Sequence, residues 1–92
     1  MTRRYRSTRK FDRQFGSLDK NSNKQAVKAI KLFMKNPNHP SLRFKKIQGA
    51  SGFYEIRVNM SIRIIIEVTS EGEDHIYTLY IIGTHDEVFP PK

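Results

Sequence analysis

Between Lys10 and Leu18 the apolar residues Phe11, Phe15 and Leu18 recur at spacings of four and three, which lays one apolar stripe along a helix. Asp19 to Asn23 reads as a break. Beyond it, Ala26, Ile30, Phe33 and Met34 fall on one side of a second helix and Lys24, Lys28, Lys31 and Lys35 on the other. Ser22 or Asn23 is placed to cap this helix, and Pro37 forbids its continuation past about Asn36. The spacing therefore predicts an antiparallel helix pair, closed by the turn cluster Asn36-Pro37-Asn38-His39-Pro40. Ahead of the pair, Arg3-Arg4-Tyr5-Arg6-Ser7-Thr8 is too short and polar for a core strand and suits an edge strand.

From Phe53 onward the period becomes two. Tyr54, Ile56 and Val58 alternate with Phe53, Glu55 and Arg57; then Ile62, Ile64, Ile66 and Val68 alternate with Ser61, Arg63, Ile65 and Glu67. Asn59-Met60 marks a hairpin tip. If the tip spans Val58 to Met60, so that Arg57 pairs with Ser61, both arginines project from one sheet face together with Glu55 and Glu67. A turn over Ser70 to Asp74 precedes a last strand, His75 to Ile82, dense in Tyr, Thr and Ile as a central strand would be. The expected class is α+β: two N-terminal helices packed on a mainly antiparallel sheet of about four strands, in one domain over residues 1–92.

Composition bounds this picture. A chain of 92 residues has room for one core, and with no cysteine neither a disulfide framework nor a thiolate zinc site is available to hold it. Apolar runs such as Ile64-Ile65-Ile66 fall far short of a bilayer span, and the N-terminus has no apolar segment resembling a signal peptide, so the expected location is the cytoplasm and no membrane is expected as a partner. Charge is unevenly spread. Residues 1–46 hold fourteen Lys/Arg against two Asp/Glu, and residues 47–92 hold three against seven. A basic first half suits a polyanion or an acidic protein, because phosphate contacts release counterions; a solvated basic surface accounts for the same numbers. The lysine stripe of the second helix reads either way, as a wet face or as a contact for RNA or a protein partner.

Candidate chemistry concentrates on the hairpin and the C-terminus. Arg57 and Arg63 would form a cationic surface on rigid strands, where a planar guanidinium donates two parallel hydrogen bonds to a phosphodiester. The alternative is a cross-strand Arg-Glu ladder facing solvent. Lys45 and Lys46 add two ammonium groups just before the hairpin. His85, in Gly83-Thr84-His85-Asp86-Glu87-Val88-Phe89, is expected at the end of a core strand and is the best acid-base candidate, whereas His39 and His75 read as surface residues. No paired metal-ligand spacing, nucleophilic serine constellation or Gly-rich phosphate loop appears, so no metal and no small-molecule cofactor are expected.

Four segments in order resemble the RelE/ParE toxin superfamily of type II toxin-antitoxin systems. Leu42-Arg43-Phe44-Lys45-Lys46-Ile47-Gln48-Gly49 is similar to its Lys-rich segment ending in Leu-x-Gly. Phe53-Tyr54-Glu55-Ile56-Arg57-Val58 and Ile62-Arg63-Ile64-Ile65 are similar to its two Arg-bearing strands, and Ile82 to Phe89 resembles its closing Gly-x-[His/Arg]-x-x-Val-Tyr. The resemblance implies an active surface on the sheet face away from the helices, an antitoxin encoded nearby, and, in the ribonuclease branch, metal-independent cleavage of messenger RNA on the ribosome by attack of a 2′-hydroxyl on the adjacent phosphate. Carried over by position, it implies that Arg57 and Arg63 hold the phosphate, that Lys46 with Lys45 supports them, that His85 is general acid or base, and that Arg43 and Phe89 contact RNA. Three positions depart from the pattern. Phe89 stands where many members have a tyrosine and can stack on a base but not donate a proton; Ile62 replaces an aromatic residue; Asn59 replaces a turn glycine, which Asn can imitate by adopting positive φ. A non-catalytic protein on the same fold, either a ParE-like gyrase poison or a detoxified relative, is the other expectation.

Overall fold

In the computed structural model, which describes residues 3–89, Thr8 opens the first helix, α1 (Arg9–Gly16). Its Oγ1 accepts from the Phe11 N–H at 2.9 Å and donates to the Tyr80 carbonyl at 2.7 Å. One hydroxyl thus satisfies an end donor of the helix and fastens that end to the sheet. The second helix, α2 (Lys20–Lys35), begins earlier than the sequence suggests, because Asp19 rather than Ser22 or Asn23 is its cap: the Asp19 carboxylate accepts from the Ser22 N–H at 3.1 Å. An ionised cap also answers the positive end of the helix dipole. Asn23 is left free to donate to the Phe15 carbonyl at 3.1 Å, tying the end of α1 to the start of α2. As Pro37 requires, α2 stops at Lys35.

The buried stripe of α2 is Ala26, Ala29 and Phe33, with Ile30 half-buried and Met34 44% exposed. It is therefore turned toward Ala29 and away from Met34 relative to the stripe read from the sequence. Small residues at 26 and 29 bring α2 close to the sheet, and Phe33 fills the gap, meeting Tyr77 edge-on at 5.5 Å and Phe44 at 5.5 Å.

The described residues form five strands, β1 (Arg3–Ser7), β2 (Lys45–Lys46), β3 (Phe53–Arg57), β4 (Ile62–Glu71) and β5 (Asp74–Thr84), in the spatial order β1-β5-β4-β3-β2. Only β1 runs parallel to its neighbour, β5; the remaining pairs are antiparallel. The count exceeds the expected four or so because β1 joins as a full edge strand and the two-residue β2 closes the opposite edge. The turn between β4 and β5 is tighter than the predicted Ser70 to Asp74: Glu71 pairs with Asp74, and Gly72, at φ +61°, reverses the chain.

One irregularity shapes both faces. Across the β4–β5 ladder, Ile65 pairs with Ile81 but Ile66 pairs with Leu79, so Tyr80 is an extra residue in β5. The bulge switches the alternation of β5. Tyr77, Leu79 and Ile82 therefore meet the helices, in a core with Phe11, Phe33, Leu42, Ile56, Ile64 and Ile66. Tyr80 and Ile81 face the other side, where a smaller cluster of Ile47, Ile65 and Val88 takes in Phe53 and Phe89. Ile64, Ile65 and Ile66 are each fully buried, which works only for a strand covered on both faces; each contributes about 1.5–3 kcal/mol. The second cover comes from α3 (His85–Val88), a short helix that the hydrophobic pattern did not signal.

Candidate active site

The β3–β4 hairpin carries the centre of the site. Arg57 pairs directly with Arg63, not with Ser61, because five residues, Val58 to Ile62, separate the pair rather than three. Asn59 explains the difference. Its Oδ1 accepts from both the Ser61 and Ile62 N–H groups at 2.8 Å, an Asx turn that absorbs the additional residues. Positive φ at Asn59 is not used; among the described non-glycine residues only Arg43, at φ +49°, has it. A shift of two residues preserves facing, so both arginines share one face as the alternation requires.

Like charges directly opposite repel, and the structure offsets this with a shared acceptor. Arg63 donates to the Asn59 carbonyl at 2.7 Å and to the Ile62 carbonyl at 3.2 Å, while Arg57 Nε donates to the same Asn59 carbonyl at 3.3 Å. Neither guanidinium forms an ion pair with a described carboxylate. The solvent-facing Arg-Glu ladder is therefore not the arrangement present.

Arg43 and Lys45 reach the same face through Phe44. The Phe44 ring stacks on Tyr54 at 5.0 Å and belongs to the helix-side core, so its two neighbours project the opposite way. Arg43 ends the 3₁₀ turn Pro40–Leu42 in the left-handed region, with its N–H on the Pro40 carbonyl at 3.2 Å. That conformation costs on the order of 1 kcal/mol in a residue with a Cβ, and it aims the chain into β2. Arg43, Lys45, Glu55, Arg57 and Arg63 then line a cleft of about 80 Å³.

A second, wider depression of about 420 Å³ adjoins it, lined by Lys45, Lys46, Ile47, Gln48, Glu55, His85 and Phe89. Lys45 and Glu55 belong to both. Lys46 pairs with Tyr54, so alternation sets its strand position opposite to that of Lys45, and it borders only the wider depression. His85 directly follows the last residue of β5, at the strand end the sequence suggested, and is the first residue of α3. Its ring lies 4.6 Å from that of Phe89 at 30°, and its side chain is 67% exposed. The Asp86 carboxylate, 3.7 Å from His85 Nδ1 and fully in water, is too distant and too solvated to orient the ring strongly.

The backbone of His85 is held instead by the two ends of α3. Thr84 N–H donates to Glu87 Oε1 at 2.7 Å, Phe89 N–H donates to the His85 carbonyl at 3.0 Å, and Val88 is fully buried. The Thr84 bond holds the Glu87 carboxyl below its ordinary range. Thr84-x-x-Glu87 is a capping-box spacing, the one signal in the sequence from which this helix could have been read.

Glu55 is the residue whose role the sequence did not reveal. Its side chain is 8% exposed; Lys45 Nζ lies 3.0 Å from Oε1, and the buried Oε2 has no hydrogen-bond partner. A lone acid between basic positions on the hairpin was the available signal. Among the described residues no three His, Asp or Glu side chains gather as a metal site, and no helix is long and apolar enough to cross a membrane.

The site can bind a phosphodiester through Arg43, Arg57 and Arg63, and place an amine, a carboxylate and an imidazole along the adjoining depression. A scan against protein-family models and a sequence search of curated proteins give no match. Solved structures do match. The Escherichia coli DinJ-YafQ toxin-antitoxin complex contains a chain with TM-score 0.77 at 15% identity, covering 97% of this chain and 99% of that one. The YoeB/ParE toxin from Agrobacterium tumefaciens gives 0.71 at 13% identity, covering 89% and 98%. The intact E. coli RelBE toxin-antitoxin complex gives 0.67 at 16% identity, covering 88% and 94%. With its helix pair on one side of the sheet and its basic cleft on the other, the chain has the RelE/ParE-like toxin fold.

Proposed function

We propose that this chain is the toxin of a type II toxin-antitoxin pair and that it cuts messenger RNA on the ribosome. One observation carries the reading: Arg43, Arg57, Arg63 and Lys45 converge on a cleft that opens into the depression holding His85 and Phe89. In this reading the arginines grip the scissile phosphate and neutralise the charge that grows on it during attack by the neighbouring 2′-hydroxyl. Protonated His85 gives its proton to the departing 5′-oxygen, and the Phe89 ring offers a stacking surface to a base. The products are a 2′,3′-cyclic phosphate and a 5′-hydroxyl. Lys46 borders the depression as a further phosphate contact. An acidic antitoxin is the expected protein partner, supported by the net charge of +8 and by the fold neighbours solved as toxin-antitoxin complexes.

The test is expression of the chain in growing cells, with and without His85→Ala, while messenger 5′ ends are mapped. Growth arrest with new cuts inside translated messages, both lost in the variant, is the expected result. Arrest without cuts would transfer the target to gyrase or another protein, and unaffected growth would mark a detoxified member of the fold.

A further inference from the structure

A carboxylate buried among cations, with one oxygen unbonded, calls for an explanation that the phosphate grip does not provide. Glu55 pairs with Lys45 on β2 and with Ile65 on β4, and it lines one cleft with Arg43, Lys45, Arg57 and Arg63; His85 borders the adjoining depression from α3. Its burial sets it apart from a solubilising surface charge, and the ion pair on Oε1 leaves Oε2 without a protein partner, which forfeits hydrogen-bond energy. Lys45 is the opposite case: its side chain is 70% exposed, with Nζ 3.0 Å from Glu55 Oε1, at the junction of the cleft and the depression. Both residues line the cleft and the depression, but the lysine offers substrate far more surface than the glutamate.

Resting on the nuclease reading above, we propose that Lys45, rather than Lys46, is the amine that meets the attacking 2′-hydroxyl, and that Glu55 is its positioning residue and proton acceptor. As the 2′-oxygen forms its bond to phosphorus, its proton passes to Lys45 Nζ while Lys45 passes one of its own to Glu55. The bond from phosphorus to the 5′-oxygen breaks with the electron pair leaving on that oxygen, which takes the proton of His85. One proton has entered the lysine-glutamate pair and one has left the imidazole, so the charge balances. When product departs, Glu55 returns its proton to solvent through Lys45. The proton arrives on Oε1, along the contact Lys45 already makes, and Oε2 has no hydrogen bond to lose as the carboxylate becomes a carboxyl.

The experiment uses the purified full chain, programmed ribosomes, and a messenger cut at one site, made with either an ordinary linkage or a 5′-bridging sulfur there. A thiolate leaves without being protonated. Loss of activity in His85→Ala should therefore be rescued by sulfur, whereas loss in Glu55→Gln should not. Glu55→Gln is expected to slow cleavage by about 10²- to 10³-fold on both linkages, to retain messenger binding and melting temperature, and to abolish the fall in rate on the acid side of the pH profile. Glu55→Asp should recover part of the rate. Lys45→Met, a change on an exposed side chain, should match Glu55→Gln, and the double variant should be no slower than either. Wild-type cleavage with an unchanged pH profile in Glu55→Gln, sulfur rescue of that variant, or additive losses in the double variant would overturn the proposal. If Glu55→Gln does not fold, the pH profile and sulfur test on Lys45→Met decide the matter. Wild-type protein that cuts neither messenger overturns the nuclease reading itself, and this proposal with it.

Discussion

Arg57 and Arg63 stand directly opposite each other across β3 and β4, and both guanidinium groups donate to one acceptor, the Asn59 carbonyl, at 3.3 and 2.7 Å. Two like charges side by side on a sheet cost stability, and the proposed phosphate grip gives the pair a use that strand pairing does not.

Removing either arginine should consequently separate function from stability. Arg57→Ala and Arg63→Ala are each expected to change unfolding free energy by no more than about 0.5 kcal/mol, the range of surface substitutions, because lost hydrogen bonds are offset by relieved repulsion. Cleavage of ribosome-bound messenger should fall by about 10²- to 10³-fold. Arg63→Lys should restore little, since an ammonium lacks the planar fork. Parallel urea denaturation and single-turnover cleavage check this; equal losses in both would return the arginines to a structural role.

Asn59 sets the hairpin register, and its loss should appear in folding. Asn59→Ala removes the acceptor for Ser61 and Ile62 and the donor to Gln25 Oε1 at 2.6 Å. The expected cost is about 1–3 kcal/mol by urea denaturation. Asn59→Asp keeps the acceptor and should recover part of it. Full stability in Asn59→Ala would mean that strand pairing alone sets the Arg57–Arg63 register.

Gly83 leaves room for the clasp that holds α3. A Cβ there would lie 2.9 Å from Glu87 Oε1, the same oxygen bound by Thr84 N–H at 2.7 Å. Gly83→Ala should push the carboxylate off that donor, cost about 0.5–2 kcal/mol as a lost cap, and loosen His85. The NMR shifts of the His85 ring and the cleavage rate should both move. Gly83→Ala with an unaltered His85 spectrum would show that the buried Val88 holds the helix unaided.

Acid should act on two helix ends. Glu87 is held below its ordinary value of 4.5 chiefly by the backbone bond from Thr84, and Asp19 below 3.8 chiefly by its side-chain bond with Ser22. A depressed carboxyl stabilises the fold fully above its unfolded-state value and loses that contribution as pH falls through the lowered, folded-state value. Stability measured by denaturation should therefore decline below about pH 4.5. Glu87→Gln and Asp19→Asn should each flatten that decline, and identical acid limbs in wild type and variants would refute the assignment.

Much of this architecture is local, and local order is what the chain states openly. Phe11, Phe15 and Leu18 at helical spacing, and the alternation from Tyr54 to Val68, specify their elements by period; alternation alone puts Arg57 and Arg63 on one face whatever the loop length, since a shift of two changes register without changing side. The motifs from Leu42 to Phe89 located the same basic surface. What required the folded chain was everything decided by covering. Glu55 reads as a ladder residue until β2 and the neighbouring arginines close over it. The Tyr80 bulge is invisible in a sequence that looks apolar on both parities, yet it sends Leu79 to one core and Ile81 to the other. His85 follows a strand in sequence, but the buried Val88 and the Thr84–Glu87 clasp turn it into the start of a helix. Period fixes which way a side chain points, because it follows from backbone geometry; burial and neighbours depend on which distant segments arrive, and only tertiary structure decides those.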